Sequence, residues 1–226
     1  MRARRLQSRL FAGLLFAALA ATGASASDAA EDAYRRGDHA AAFAVWRERA
    51  ERGDIVAQFN AAILLDQGRG VTRDRGAAAR FYRLAAAQGY ARAAFNLAQM
   101  LAEGDGVERD AAAAADWYRA AAEAGDMLAQ FDLGTLLAEG RDGLRPDAAA
   151  AARWFTRAAA QDHPQALFRL GTMYANGTGV AQDLARATEL FERADVALMS
   201  DESNTSCTTQ RSALRLAQCR RAVPRM

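Results

Sequence analysis

Apolar residues recur at helical spacing through most of the chain. Between Tyr90 and Glu103, the residues Ala93, Leu97, Met100 and Leu101 fall on one face of a helix. Gly104 follows, where a glycine in the left-handed conformation ends a helix without a β-carbon penalty. Val107 returns an apolar side chain after the turn, and Asp110 offers its carboxylate to the free amides of a new first turn. Trp117, Tyr118, Ala121 and Ala122 carry a second helix on to Gly125. The pattern predicts two helices joined by a glycine turn. Alanines let the backbones approach, and the aromatic pair fills the space between successive hairpins.

The pattern then repeats. Gly53, Gly89 and Gly125 are each 36 residues apart, and the next equivalent, Asp162, comes 37 later. Gly68-x-Gly70-Val71 returns as Gly104-x-Gly106-Val107, Gly140-x-x-Gly143-Leu144 and Gly177-x-Gly179-Val180; the extra residue of the third copy accounts for the longer spacing. Asp74, Asp110, Asp147 and Asp183 keep the rhythm, as do Phe81-Tyr82, Trp117-Tyr118, Trp154-Phe155 and Leu190-Phe191. Pro164 suits the first position of a helix, where no amide is needed. Asp38 and Val45-Trp46 lie 36 residues ahead of Asp74 and Phe81-Tyr82, so Asp38–Arg52 reads as an orphan second helix. A short helix near Ala29–Arg36 precedes it. Together they predict an N-terminal cap over residues 27–53, because the ends of a stacked array need atypical covering units. Four full copies occupy 54–198. Residues 199–226 read as a polar linker, Met199 to Gln210, followed by one more helix from Gln210 to Val223.

The N-terminus has a different character. Arg2, Arg4, Arg5 and Arg9 precede the apolar run Leu10–Ala21, and Ala24-Ser25-Ala26 has the form of a cleavage site. Residues 1–26 therefore read as a secretory signal peptide, too short in its apolar part to span a bilayer. The expected location is the periplasm or the exterior, with no stable membrane insertion after cleavage. The whole chain has 29 basic and 27 acidic residues, and removing four arginines with no acids moves its net charge from +2 to −2. No strongly basic surface remains to argue for nucleic acid. Cys207 precedes the last helix and Cys219 lies within it; in an exported chain without a C-x-x-C motif they predict a structural disulfide.

The repeated columns also carry a resemblance. In the fourth copy Ala166, Leu170-Gly171, Met173-Tyr174, Gly177-x-Gly179-Val180, Asp183, Ala187 and Leu190-Phe191 follow one motif. It resembles that of the Sel-1-like repeat family, a relative of the tetratricopeptide repeats with a slightly longer unit. The resemblance covers about residues 37 to 198. The first copy departs from it, with Ala61-Ala62 where Leu-Gly is expected. What the resemblance implies is an all-α fold, a right-handed α-solenoid of helical hairpins. It further implies a non-enzymatic scaffold or regulator that binds a protein or peptide of the cell envelope. Two alternatives come with it: a β-lactam-binding or hydrolysing enzyme, as among cysteine-rich secreted members, and a structural factor in polymer secretion. Those cysteine-rich members carry cysteines throughout their repeats, whereas here the repeats have none.

Composition narrows the chemistry. Alanine supplies 59 of 226 residues, against seven valines and two isoleucines, which favours helix and disfavours a sizeable sheet. Every basic residue is arginine, so lysine-dependent chemistry is excluded: a Walker A lysine, a Schiff base, an S-x-x-K nucleophile. His39 and His163 are the only histidines; each stands at a helix start and reads as a capping residue. Asp74, Asp110, Asp147 and Asp183 lie one to a repeat and cannot converge on one ion. No catalytic residue, metal or cofactor is expected.

One surface stands out. On the first helix of each copy, Phe59, Phe95, Phe131 and Phe168 form a column, read either as the floor of a groove or as packing between successive first helices. Beside it run Asn60, Asn96, Asp132, Arg169 and Ile63, Gln99, Thr135, Thr172, with Val56, Arg92, Leu128, Gln165 further out. The expected partner-binding strip is Arg92, Asn96, Gln99, Asp132, Thr135, Arg169 and Thr172. An extended peptide would lie across it, with Arg92 and Arg169 as cationic anchors.

Overall fold

The computed structural model describes residues 26–202. The predicted leader, apart from Ala26, and the predicted tail helix with Cys207 and Cys219 lie outside the described residues. Within them are ten α-helices and no strand. Two helices form the cap, α1 (Ala26–Arg35) and α2 (His39–Glu51). Eight follow in pairs: α3 (Ile55–Gln67) with α4 (Arg75–Ala87), α5 (Ala91–Glu103) with α6 (Ala111–Glu123), α7 (Met127–Glu139) with α8 (Ala148–Ala159), and α9 (Pro164–Asn176) with α10 (Leu184–Glu202). They group into two compact units, the first holding α1 to α6 and the second α7 to α10, except that residues 142–144 belong to the first.

Local chemistry sets the helix ends. The second helix of each copy, and α2, starts on an aspartate. The Oδ1 atoms of Asp38, Asp74, Asp110, Asp147 and Asp183 accept the backbone N–H three residues on, at 2.8–3.0 Å. First helices start less uniformly. Asp54 caps α3 and also accepts from Arg49 Nη2 at 2.6 Å. Burial acts to raise the Asp54 carboxyl, but the Ala57 N–H and the Arg49 guanidinium outweigh it and hold the group below 3.8. Tyr90 opens α5 with no side-chain cap. His163 opens α9, its Nδ1 accepting the Ala166 N–H at 3.2 Å, as the sequence suggests. His39 does not cap. Asp38, one residue earlier, already holds that place, and the His39 ring pairs instead with Arg69 Nη2 at 2.8 Å.

The two glycines of the turn have different roles. Gly104 takes φ +75 and its N–H closes on Met100 O at 2.9 Å, a left-handed helix stop. Gly106 also takes φ +75, but its need is space: a β-carbon there would overlap Cβ of Arg75 and lie 2.9 Å from its carbonyl carbon. The turn thus rests on the start of the preceding second helix. Gly70 against His39 and Ala40, and Gly179 against Ala148, repeat the contact. The third copy differs: Gly143 has no such neighbour, and Asp142 takes φ +51 in the longer loop.

Inside each hairpin the aromatic residue of the second helix is the filler. Tyr82, Tyr118 and Phe155 are buried. A β-carbon on Gly134 would lie 2.8 Å from the Phe155 ring, and one on Gly171 2.8 Å from Phe191. The first two copies place the fully buried alanines Ala62 and Ala98 there, so the Ala61-Ala62 departure keeps the small residue that the contact requires. Fully burying a ring of this kind contributes roughly 1.5–3 kcal/mol.

The last helix departs from the sequence reading. Residues Met199 to Glu202, expected in a polar linker, continue α10, which is 19 residues long. The turn glycines Gly53, Gly89 and Gly125 take positive φ, as does Asp162; the equivalent position here is Leu198, whose side chain disfavours that conformation.

Candidate interaction surface

The phenylalanine column belongs mainly to the hairpin interiors. In the first unit Phe59 meets Tyr82 (ring centroids 5.9 Å) and Phe95 meets Tyr118 (5.9 Å). In the second, Phe131 meets Phe155 (5.8 Å) and Phe168 meets Phe191 (5.4 Å). Each pair joins the two helices of one copy. Phe131 and Gly134 are three residues apart, share a helix face, and both address Phe155. The residue opening the next first helix closes over the ring in two cases, Tyr90 on Phe59 at 4.9 Å and His163 on Phe131 at 4.6 Å. Phe168 has no such cover among the described residues and is 48% exposed.

The predicted strip is divided between the units. Arg92, Asn96 and Gln99 lie on α5 in the first, Asp132 and Thr135 on α7 and Arg169 and Thr172 on α9 in the second. Arg92 is exposed, its guanidinium 5.2 Å from the Phe59 ring centre, a cation–π contact that pins the charge in place. Asn96 is half-buried. Burial pushes the Tyr82 phenol up to about 12, Asn96 opposes the shift, and Asp66 adds to it. Gln99 is half-buried beside them. Asp132 is already engaged with another residue. Thr135 Oγ1 is buried without a hydrogen-bond partner, and the Thr172 hydroxyl donates to Phe168 O at 3.0 Å on its own helix. Arg169 is exposed. Of the seven, the two arginines offer free side chains most plainly; Thr172 already has a structural bond.

One feature escapes the sequence reading. A pocket of about 280 Å³ opens between α1, α2 and α3, lined by Glu31, Tyr34, Arg35, Trp46, Asn60 and Ile63. The short Arg36–Asp38 connection, set against the longer turn after α3, is the sequence signal that could have pointed to it. Among the described residues, no three His, Cys, Asp or Glu side chains gather as a metal site, and no helix is long and apolar enough to cross a membrane.

The repeat columns, the caps and the paired helices are those of one family. Its model, the Sel1 repeat, matches residues 55–90, 91–126, 128–163 and 164–194. The chain belongs to the Sel1 repeat family. Among solved structures, a Sel1 repeat protein from Oxalobacter formigenes is similar at 29% identity and TM-score 0.65, over 70% of this chain and 65% of that one. So is c5321, a protective antigen of uropathogenic Escherichia coli strains displaying an SLR fold. It shares 28% identity at TM-score 0.67, over 78% of this chain and 40% of that one. This chain thus spans less than two thirds of either neighbour. No curated protein matches it. The fold class is an all-α solenoid of Sel1 hairpins, and Sel1 repeats serve in general as scaffolds for protein–protein contact.

Proposed function

We propose that the chain is an exported, non-catalytic scaffold that holds a protein or peptide of the cell envelope on the outward positions of its first helices. The observation that carries this reading is the contrast between columns. Positions that build the hairpin stay fixed: small residues at 62, 98, 134 and 171, aspartate caps, turn glycines. Outward positions change from copy to copy, Val56, Arg92, Leu128 and Gln165, each exposed. Fold demands neither variety nor free arginines there; recognition uses both. Arginine suits such a role because its planar fork pairs with carboxylates in two places.

Chemical cross-linking in envelope extract, with the exported chain as bait, tests it. A stoichiometric partner is expected. Arg92→Ala and Arg169→Ala, singly and together, should weaken its capture with helical content unchanged, since truncating a hot spot typically costs ~2 kcal/mol or more. Capture at wild-type strength by the double variant would make the strip ordinary solvated surface.

A further inference from the structure

The second helix of the fourth copy, α10, differs from the others along one flank. In the earlier copies two alanines seven residues apart lie there, Ala79 with Ala86, Ala115 with Ala122 and Ala152 with Ala159, all buried. Within the units, α4 and α8 each pack against the first helix of the copy that follows. The counterparts on α10 are Thr188, which is exposed, and Asp195, which is half-buried. The aromatic position changes with them. Tyr82, Tyr118 and Phe155 are buried, whereas Phe191 is half-buried and its partner Phe168 is exposed. Leu184 and Met199 are exposed as well. Leu184, Thr188, Phe191, Asp195 and Met199 recur at helical spacing and form one stripe along α10. An ordinary fifth hairpin does not fit this stripe, because a carboxylate stands where the other copies place a methyl group.

The charge along the stripe has one sign. Glu192 lies three residues before Asp195, and neither makes an ion pair among the described residues. The two arginines of α10 turn back into the array instead. Arg186 lies 5.0 Å from the Tyr174 ring centre, and Arg193 donates to Asp162 Oδ1 at 2.6 Å and to Ala159 O at 2.9 Å. Residues 203–226 follow α10 directly. They hold five arginines and no acid, while all 27 acidic residues of the chain precede them. In the helix expected from Gln210 to Val223, spacing sets Arg211, Leu214, Arg215 and Arg221 on one face. At 1.5 Å per residue that helix is about 21 Å long, and the stripe from Leu184 to Met199 about 22 Å. Residues 203–209 reach about 23 Å when extended, enough to reverse the chain between them.

We propose that residues 203–226 dock on this stripe, with Arg211 and Arg215 meeting Glu192 and Asp195 and Leu214 covering the apolar ground beside Phe191. The flank that seats a neighbouring helix in earlier copies is thereby closed by a segment of opposite charge. An arginine fork satisfies a half-buried carboxylate where an alanine-rich helix does not. Tethering favours this occupant over a separate molecule: a short flexible connection holds the segment at an effective concentration on the order of millimolar. The inference concerns the end of the array and stands apart from the first-helix strip.

Amide hydrogen exchange read by mass spectrometry on the full chain tests it. Glu192→Arg with Asp195→Arg should speed exchange across α10 about tenfold, and so should Arg211→Glu with Arg215→Glu. All four substitutions together should return it to within about twofold of the wild type, since the charges are exchanged rather than removed. Exchange over α1 to α6 should stay unchanged in every variant, which shows that each one folds. Unaltered exchange over α10 in both paired variants overturns the proposal, as does a fourfold variant no better protected than either pair. Protection of α10 that is lost on dilution, together with a dimer mass, would assign the stripe to a second copy and overturn it. Flotation of the chain on phosphatidylglycerol vesicles, abolished by Arg211→Glu with Arg215→Glu while α10 exchange stays unaltered, would give the basic segment to a lipid surface and overturn it equally.

Discussion

Gly106 and Gly125 both adopt positive φ, yet a side chain meets different surroundings at each. At Gly106 a β-carbon runs into Arg75; at Gly125 nothing lies within 4 Å. Gly106→Ala should therefore lower stability by about 2 kcal/mol or more, strain and overlap adding together. Gly125→Asn should cost under about 1 kcal/mol, since asparagine tolerates the left-handed region. Urea unfolding followed by circular dichroism distinguishes them. His163 gives a pH dependence. Its ring is buried against Phe131 and Nδ1 must be unprotonated to accept the Ala166 N–H. Burial lowers its pKa below the usual 6.5, against an opposing bond to its own backbone. The unfolded chain thus takes up this proton first as pH falls. The stabilisation is complete above about 6.5 and declines as pH drops below it, until the folded ring is protonated as well. His163→Asn keeps a capping oxygen and removes the titration. The melting temperature of the wild type should fall further than that of His163→Asn between pH 7 and pH 5; equal falls would show that the cap does not titrate.

At the scale of the helix, each second helix depends on one carboxylate. Asp110→Ala should destabilise by about 1 kcal/mol, and Asp110→Asn, which keeps an acceptor, by clearly less. Equal losses in thermal unfolding would mean that charge, not the acceptor geometry, is what matters. Caps and stops of this kind were legible in the chain because their chemistry is local: an aspartate meets an amide three residues on, a glycine reverses the backbone where it stands. The phenylalanine column was less so. Spacing shows that Phe131 and Gly134 share a face, but not that this face meets Phe155 of the same hairpin. The overrun of α10 was obscured by the polar residues after Met199, although Leu198 in a turn position was visible. The pocket could not be read at all from columns. It lies where α1, α2 and α3 meet, among residues that no repeat column brings together. The seven-residue strip was legible as positions, while which of its side chains were already bonded depended on neighbours distant in sequence.

For the whole molecule, the proposal of export makes a prediction about its covalent form. The protein recovered from its native host should begin near Ser27, and a Cys207–Cys219 bond should make it about 2 Da lighter than the fully reduced chain. Intact mass measured before and after reduction checks both; a Met1 start, or no change on reduction, contradicts one or the other. A further consequence follows from the way the turns of the first, second and fourth copies seat on the start of the preceding second helix. Every copy brings its own carboxylate and its own left-handed stop, and all but the third bring a glycine that fits the second helix before it. A block of 36 residues taken between matching positions of the first two copies therefore begins and ends on like turns. Unequal recombination within the gene would lengthen or shorten the array in frame, without composing a new junction. Repeat number is then the freely heritable variable of this protein. The cap built around Trp46 and the extended α10, which have no interchangeable counterpart, mark the limits between which it can vary.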